Sequence, residues 1–225
     1  MATPLDLQDQ ELVDQLKAFW TQYGNLITWV LVLALGGFAA WNGWNLWQRD
    51  QAGKASAMFE ELDRAAQAGD AARSTLVFAD LKSRFPRTAY AQQGALLAAK
   101  VQAEKGQIDA ALASLVWAGE SAGDPEYRTI ARLRAAGLML EQQQYDAALA
   151  QLDAAAQNKN AKAFEALLAD RRGDVLMAQG KKDEARKAFD LAYKAMDDKL
   201  EYRRLVDAKL TALGAPPAAA SGAAK

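Results

Sequence analysis

Charged side chains vanish from the chain between Ala18 and Gln48, and nowhere else over a comparable length. The centre of that stretch runs Leu26-Ile27-Thr28-Trp29-Val30-Leu31-Val32-Leu33-Ala34-Leu35-Gly36-Gly37-Phe38-Ala39-Ala40-Trp41. A hydrocarbon layer about 30 Å thick is crossed by about 20 mostly apolar residues in a helix. In lipid only a helix satisfies its own backbone donors and acceptors within one segment, so the pattern predicts a transmembrane helix over residues 25–47. Trp20 and Tyr23 precede it and Trp41, Trp44 and Trp47 close it, where rings with one polar atom favour the headgroup layer. Residues 1–24 form a short lead, with Leu5, Leu12, Val13, Leu16 and Phe19 at helical spacing. The lead carries Asp6, Asp9, Glu11 and Asp14 and no basic residue before Lys17, the reverse of a signal peptide's basic start.

Beyond the span the pattern changes. Residues 53–213 are rich in Ala, Leu, Gln, Glu, Lys and Arg, which favour helices, and strand-like alternation is absent. Breaks fall at Gly69-Asp70, Pro86, Gly106, Gly123-Asp124-Pro125, Asn158-Lys159-Asn160 and Gly180. Segments starting at Gly106, Gln143 and Gly180 align without gaps at a period of 37 residues. Asp109, Asp146 and Asp183 fall in register, as do Ala111, Ala148 and Ala185; Leu115, Leu152 and Phe189; and Ala118, Ala155 and Ala192. A turn, a capping aspartate, then small, large and small residues suit the second helix of a hairpin: the aspartate caps orphan N–H groups and the alanines admit the preceding helix. These are features of tetratricopeptide-like repeats, stacked helical hairpins of about 34 residues. Gly173 stands where such repeats place a small residue on the first helix. The expected pairs are 54–68 with 71–85, 88–105 with 107–121, 125–142 with 145–157 and 161–179 with 182–196. A helix near 199–213 caps the stack, and residues 214–225, without a large apolar residue, form a disordered tail. The fold class is all-α: one N-terminal transmembrane helix followed by a helical-hairpin solenoid.

Charge and composition narrow the chemistry. Lysine and arginine (27) nearly balance aspartate and glutamate (28), which gives no basic field for nucleic acid. The chain has no cysteine and no histidine, which removes the commonest general base and the commonest zinc ligands. No phosphate loop, GxSxG elbow or HExxH pattern occurs, and pairs such as Glu60-Glu61 and Asp197-Asp198 point in different directions on a helix. No catalytic residue, cofactor or metal is expected, and a hydrolase working with carboxylates alone is the least favoured reading. First helices of such hairpins line a concave face suited to peptides, which makes Ile130, Leu133, Leu140, Asp170, Asp174 and Met177 groove candidates. Arg132, Arg134, Arg171 and Arg172 lie on the same helices and either bind acidic groups or cover apolar surface and pair with neighbours. Within the span, Gly36/Ala40 and Ala39/Gly43 give small-x-x-x-small spacings that permit close helix contact, with Asn42 or Asn45 able to bond a neighbour.

The lead Leu5-Asp6-Leu7-Gln8-Asp9-Gln10-Glu11, the opening Gly24-Asn25-Leu26-Ile27-Thr28-Trp29 and the closing Ala40-Trp41-Asn42-Gly43-Trp44 resemble the YfgM family of ancillary SecYEG translocon subunits. The resemblance continues through Asp124-Pro125, Ile130-Ala131-Arg132-Leu133-Arg134, Gln144-Tyr145-Asp146 and Arg172-Gly173-Asp174-Val175-Leu176. It implies a non-enzymatic scaffold: a single-pass bacterial inner-membrane protein with a cytoplasmic N-terminus and a periplasmic repeat domain. The implied partners are the SecYEG translocon, a periplasmic chaperone of the PpiD kind and secreted client polypeptides. It also raises a cytoplasmic tie to the Rcs stress regulator. The charges flanking the span, Lys17 before it and Arg49, Lys54 and Arg64 after it, lean the other way. Long domains translocate largely regardless of charge, however, so the orientation follows the resemblance. The alternative is a regulatory or envelope-assembly scaffold that recruits other partners.

Overall fold

A computed structural model describes residues 7–215. The first six residues of the lead, and the tail from residue 216 onward that the sequence reads as disordered, lie outside the described residues. The described residues contain helices and turns and no strand. In chain order the helices are α1 (Leu7–Gln67), α2 (Ala71–Arg84), α3 (Ala89–Glu104), α4 (Ile108–Ser121), α5 (Pro125–Glu141), α6 (Tyr145–Ala156), α7 (Glu165–Ala178), α8 (Lys182–Ala195) and α9 (Tyr202–Ala212). A 3-10 turn, Ala161–Phe164, precedes α7 where the sequence suggested that the helix had already begun. Two compact units divide at Gln51 and Ala52.

α1 is one helix where the pattern suggested a lead, a span and a first repeat helix. Gly53 does not interrupt it, because one glycine costs about 1 kcal/mol against alanine and good helix formers flank it. In the first unit, apolar side chains from Leu26 to Trp47 are exposed, and α1 is long and apolar enough to cross a membrane. Two of its polar side chains bond within the helix: the Thr28 hydroxyl donates to the Gly24 carbonyl at 2.7 Å and the Asn42 amide to the Phe38 carbonyl at 3.3 Å. Asn42 therefore already has a partner in its own helix. Trp44 and Trp47 pair with ring centroids 5.1 Å apart.

The second unit is a stack of hairpins. Each helix from α2 to α9 packs on the next, and α3, α5 and α7 also meet as successive first helices. The end of α1 supplies Ala55 and Leu62 to the same core as Val77, Phe78 and Leu81 of α2, and Glu61 of α1 pairs with Arg73 of α2 at 2.5 Å. The small–large–small register holds. Ala111, Ala148 and Ala185 are fully buried, as are Ala118, Ala155 and Ala192, with Leu115, Leu152 and Phe189 between them. Burying each of those large side chains contributes about 1.5–3 kcal/mol.

The turns carry a second signature of the repeat. Gly69, Gly106, Gln143 and Gly180 stand 37 residues apart, and each has positive φ (65°, 74°, 59° and 79°). The next N–H reaches back five residues in each case, from Asp70 to Ala65, Gln107 to Gln102, Gln144 to Met139 and Lys181 to Leu176, which ends the first helix in a Schellman turn. The aspartates expected to cap do not. Gln107, Gln144 and Lys181 hold the N-cap positions without a side-chain bond, and Asp109, Asp146 and Asp183 sit two residues further in. There they favour the positive end of the helix dipole instead of capping it. Side-chain caps come from Asp70, Thr88 and Asp124.

Candidate protein-binding groove

Successive first helices lie side by side, and between them the surface is furrowed. One furrow is lined by Leu96, Ala99, Lys100, Ala103 and Glu104 of α3, by Arg134, Gly137, Leu138 and Glu141 of α5, and by Arg171 of α7. It encloses about 570 Å³, within the range of a ligand pocket. Both helices contribute positions spaced by three, four and seven residues, one face of a helix. The small residues Ala99, Ala103 and Gly137 keep the floor low. The Arg171 guanidinium crosses from α7 to lie on α5, and a Cβ added at Gly137 would meet its carbon at 3.6 Å.

The four arginines divide two and two. Arg132 donates from Nε to the Gly119 carbonyl at 3.0 Å, and Arg172 is paired to Asp153, so both tie helices together. Arg134 and Arg171 face the furrow. No ion pair engages either among the described residues, whereas Lys100 beside them is paired to Glu104 at 3.9 Å.

The residues proposed from sequence are placed otherwise. Ile130 packs against the core shared by α1 to α5, and Leu133 and Leu140 pack against the core shared by α5, α6 and α7. Met177 is exposed, clear of the furrow. Asp170 is a correction: it is buried at 3 % exposure beneath α9 and is not open to a peptide. The Tyr202 hydroxyl donates to Asp170 Oδ2 at 2.6 Å, and Lys209 Nζ donates to Asp170 Oδ1 and Asp174 Oδ1, both at 2.7 Å. Burial holds the Asp174 carboxyl above its ordinary value, against the opposing pull of the Lys209 hydrogen bond. Burial first, then the hydrogen bond to Asp170, raises the Tyr202 phenol as well. These two aspartates anchor the capping helix. In the span, Gly36, Ala40 and Gly43 are exposed, and open space surrounds both glycines.

The furrow draws on α3 and on a face of α5 other than the one that the sequence candidates occupy. The available signal was the period itself: Arg134 and Arg171 are 37 residues apart, and Gly137 lies 37 after Lys100. Leu133 is one residue from Arg134, and one residue turns a helix by about 100°. A second cleft of about 490 Å³ lies among α6, the 3-10 turn, α7 and α8, lined by Leu152, Ala156, Leu168, Ala188 and Leu191 with Lys162, Glu165 and Arg172 at its edge.

A family profile described as a tetratricopeptide repeat-like domain matches residues 17–215. A curated protein of Haemophilus influenzae named ancillary SecYEG translocon subunit is 29% identical over 128 residues, which is 57% of this chain and 62% of that protein. The match thus spans less than two thirds of that relative's length. No solved structure matches the chain.

Proposed function

The chain belongs to the tetratricopeptide repeat-like domain family, and on that premise we propose that it is a non-enzymatic, membrane-anchored adaptor of the protein-secretion translocon. Residues 25–47 of α1 are its anchor and residues 53–213 its protein-binding domain. The observation that carries this reading is the furrow across α3, α5 and α7, joined in one chain to a helix apolar enough for lipid. The relative named as a translocon subunit supports SecYEG as the assembly it joins.

Anchoring works by confinement. A domain tethered to a bilayer meets partners in the same membrane at a high effective concentration, without any added contact. The N-terminus then lies in the cytoplasm and the repeat domain in the periplasm. There it holds a chaperone of the PpiD kind or an emerging client and passes the client onward.

Photocrosslinking from positions 100, 134 and 138 in the furrow and position 36 in the span, in native membranes, tests the reading. Translocon subunits and a periplasmic chaperone are the expected products, and recovery of neither refutes it. External protease on spheroplasts checks the orientation: the repeat domain is expected to be digested and the lead protected.

A further inference from the structure

Leu12, Leu16, Phe19 and Tyr23 of α1 are spaced by four, three and four residues, the alternation of positions a and d in a heptad. The alternation continues into the span through Leu26, Val30 and Leu33, and then through Gly37 and Ala40 to Trp44 and Trp47. Between Leu12 and Trp47 every Asp, Lys, Gln, Asn and Thr falls off this seam, and off the adjoining row that begins Val13, Trp20, Ile27. An apolar span meets such a condition by default. Residues 12–23 do not, because Asp14, Gln15, Lys17, Thr21 and Gln22 lie among them. Asp9 bounds the seam at one end. At the other its next positions are Gln51 and Lys54, where the first unit gives way to the second.

Leu12, Val13, Leu16, Phe19 and Trp20 are exposed. With residues 25–47 in the bilayer, Trp20 falls in the headgroup layer. Leu16 and Leu12 then lie about one and two helical turns further out, in water, where an apolar stripe calls for a cover. α1 is unbroken from the lead through the span, so the lead continues away from the bilayer instead of lying along it. The rows beside the seam, which set partner choice in paired helices, hold Val13 and Trp20 on one side and Gln15 and Gln22 on the other. No charge there repels an identical helix or selects one of opposite sign. Lys17, on the outer side, is already engaged by Asp14 at 3.5 Å. The rings of Phe19 and Tyr23 lie against each other with centroids 5.1 Å apart, a ready-made aromatic surface on the seam.

We propose that α1 pairs with α1 of a second copy of this chain, in parallel and in register, along this seam from the lead into the bilayer. Every copy crosses the bilayer the same way round, so two copies bring the same residue to the same depth, Leu16 against Leu16 and Phe19 against Phe19. A different partner would have to repeat the same alternation on both sides of the headgroup layer. Within the bilayer Gly37 and Ala40 admit the second helix closely, and space around Gly37 is open. Confinement to one membrane raises the effective concentration of each copy for the other. The pairing uses the anchor and not the adaptor role, and it brings two repeat domains to one assembly.

The chain has no cysteine, so a single introduced one reports its own position. Full-length variants L12C, L16C and F19C on the seam, and D14C, K17C and T21C off it, are oxidised with copper phenanthroline in native membranes. Seam positions should give the disulfide-linked dimer in at least about fivefold higher yield, because the bond forms only between Cβ atoms that face each other closely. Differently tagged full-length copies should also co-purify in detergent. L16E should lower that recovery at least about tenfold through like-charge contact at the seam. L16E mixed with L16K should restore it, which separates lost pairing from lost folding.

Equal yields on and off the seam, or a monomeric full chain in detergent, overturn the proposal. So do seam cysteines joined only to a different polypeptide, which gives the face to another membrane protein. Seam cysteines joined to nothing, yet shielded from a water-soluble maleimide in phosphatidylglycerol vesicles, give it to the lipid surface and overturn the proposal as well. Release of the chain by carbonate washing overturns the anchor and this pairing with it, whereas a retained but monomeric chain removes the pairing alone.

Discussion

Gly173 on α7 and Phe189 on α8 are fitted to each other: a Cβ built on Gly173 would come within 2.4 Å of the Phe189 ring. The same two positions one and two periods earlier are Ala136 with Leu152 and Ala99 with Leu115. Where the second helix carries the larger ring, the first helix has given up a methyl group. Gly173→Ala should therefore cost about 1–3 kcal/mol, read from the urea midpoint. Gly173→Ala combined with Phe189→Leu recreates the pairing of the other hairpins and should recover most of that loss. If the double variant is no better than the sum of its parts, the two residues are not coupled. Gln143 makes the opposite case. It holds φ 59° where the other turns of the series have glycine. Gln143→Gly should stabilise the domain by about 0.5–1 kcal/mol, and a midpoint moved downward would show that its side chain contributes more than its backbone loses.

At the scale of elements, the capping helix is held by ionisable groups, so its docking depends on pH. The folded state keeps the Tyr202 phenol protonated where an undocked α9 would release it. Protons held by the folded form and lost by the unfolded one mean that stability falls as pH rises above about 10, the ordinary tyrosine value. Asp174, also raised, acts with the same sign in a lower window: from its ordinary value of 3.8 up to its folded value, each rise in pH costs stability. Hydrogen exchange of α9 amides should show its protection declining above pH 10 in the wild type and not in Tyr202→Phe. An equal decline in both would place the sensitivity elsewhere. Asp170→Ala, which strips the acceptor from Tyr202 and one contact from Lys209, should cost about 1–3 kcal/mol at neutral pH. None of this was legible in the sequence, where Asp170 and Asp174 read as two more polar residues on a first helix. Their partners are 32 to 39 residues away, and a local pattern cannot report which distant helix will cover a face. The hairpins were legible because a buried alanine or leucine recurs at each period whatever lies opposite. The cap positions were not. An aspartate two residues too late has the right composition for an N-cap, and only backbone geometry separates the two.

The whole molecule combines two surfaces with opposite solvent requirements. The three core clusters draw their buried residues from Ala55 onward, while the side chains from Leu26 to Trp47 remain exposed over a length that water does not tolerate. In a hairpin stack, stability is the sum of units and of contacts between neighbours, so a chain beginning at Ala52 keeps every contact that holds those clusters. It should fold, stay monodisperse without detergent and melt cooperatively. The full chain should remain in the membrane pellet after carbonate washing and need detergent for extraction. Anchoring has a consequence that the two preparations separate. If the tether acts by raising local concentration, the shortened chain should bind a purified translocon partner in solution as tightly as the full chain does, yet fail to recover translocon subunits from membranes. Equal recovery by both forms would mean that the furrow alone finds its partner and that the apolar helix serves some other end. Loss of that solution binding on shortening would mean instead that residues 1–51 themselves take part in holding the partner.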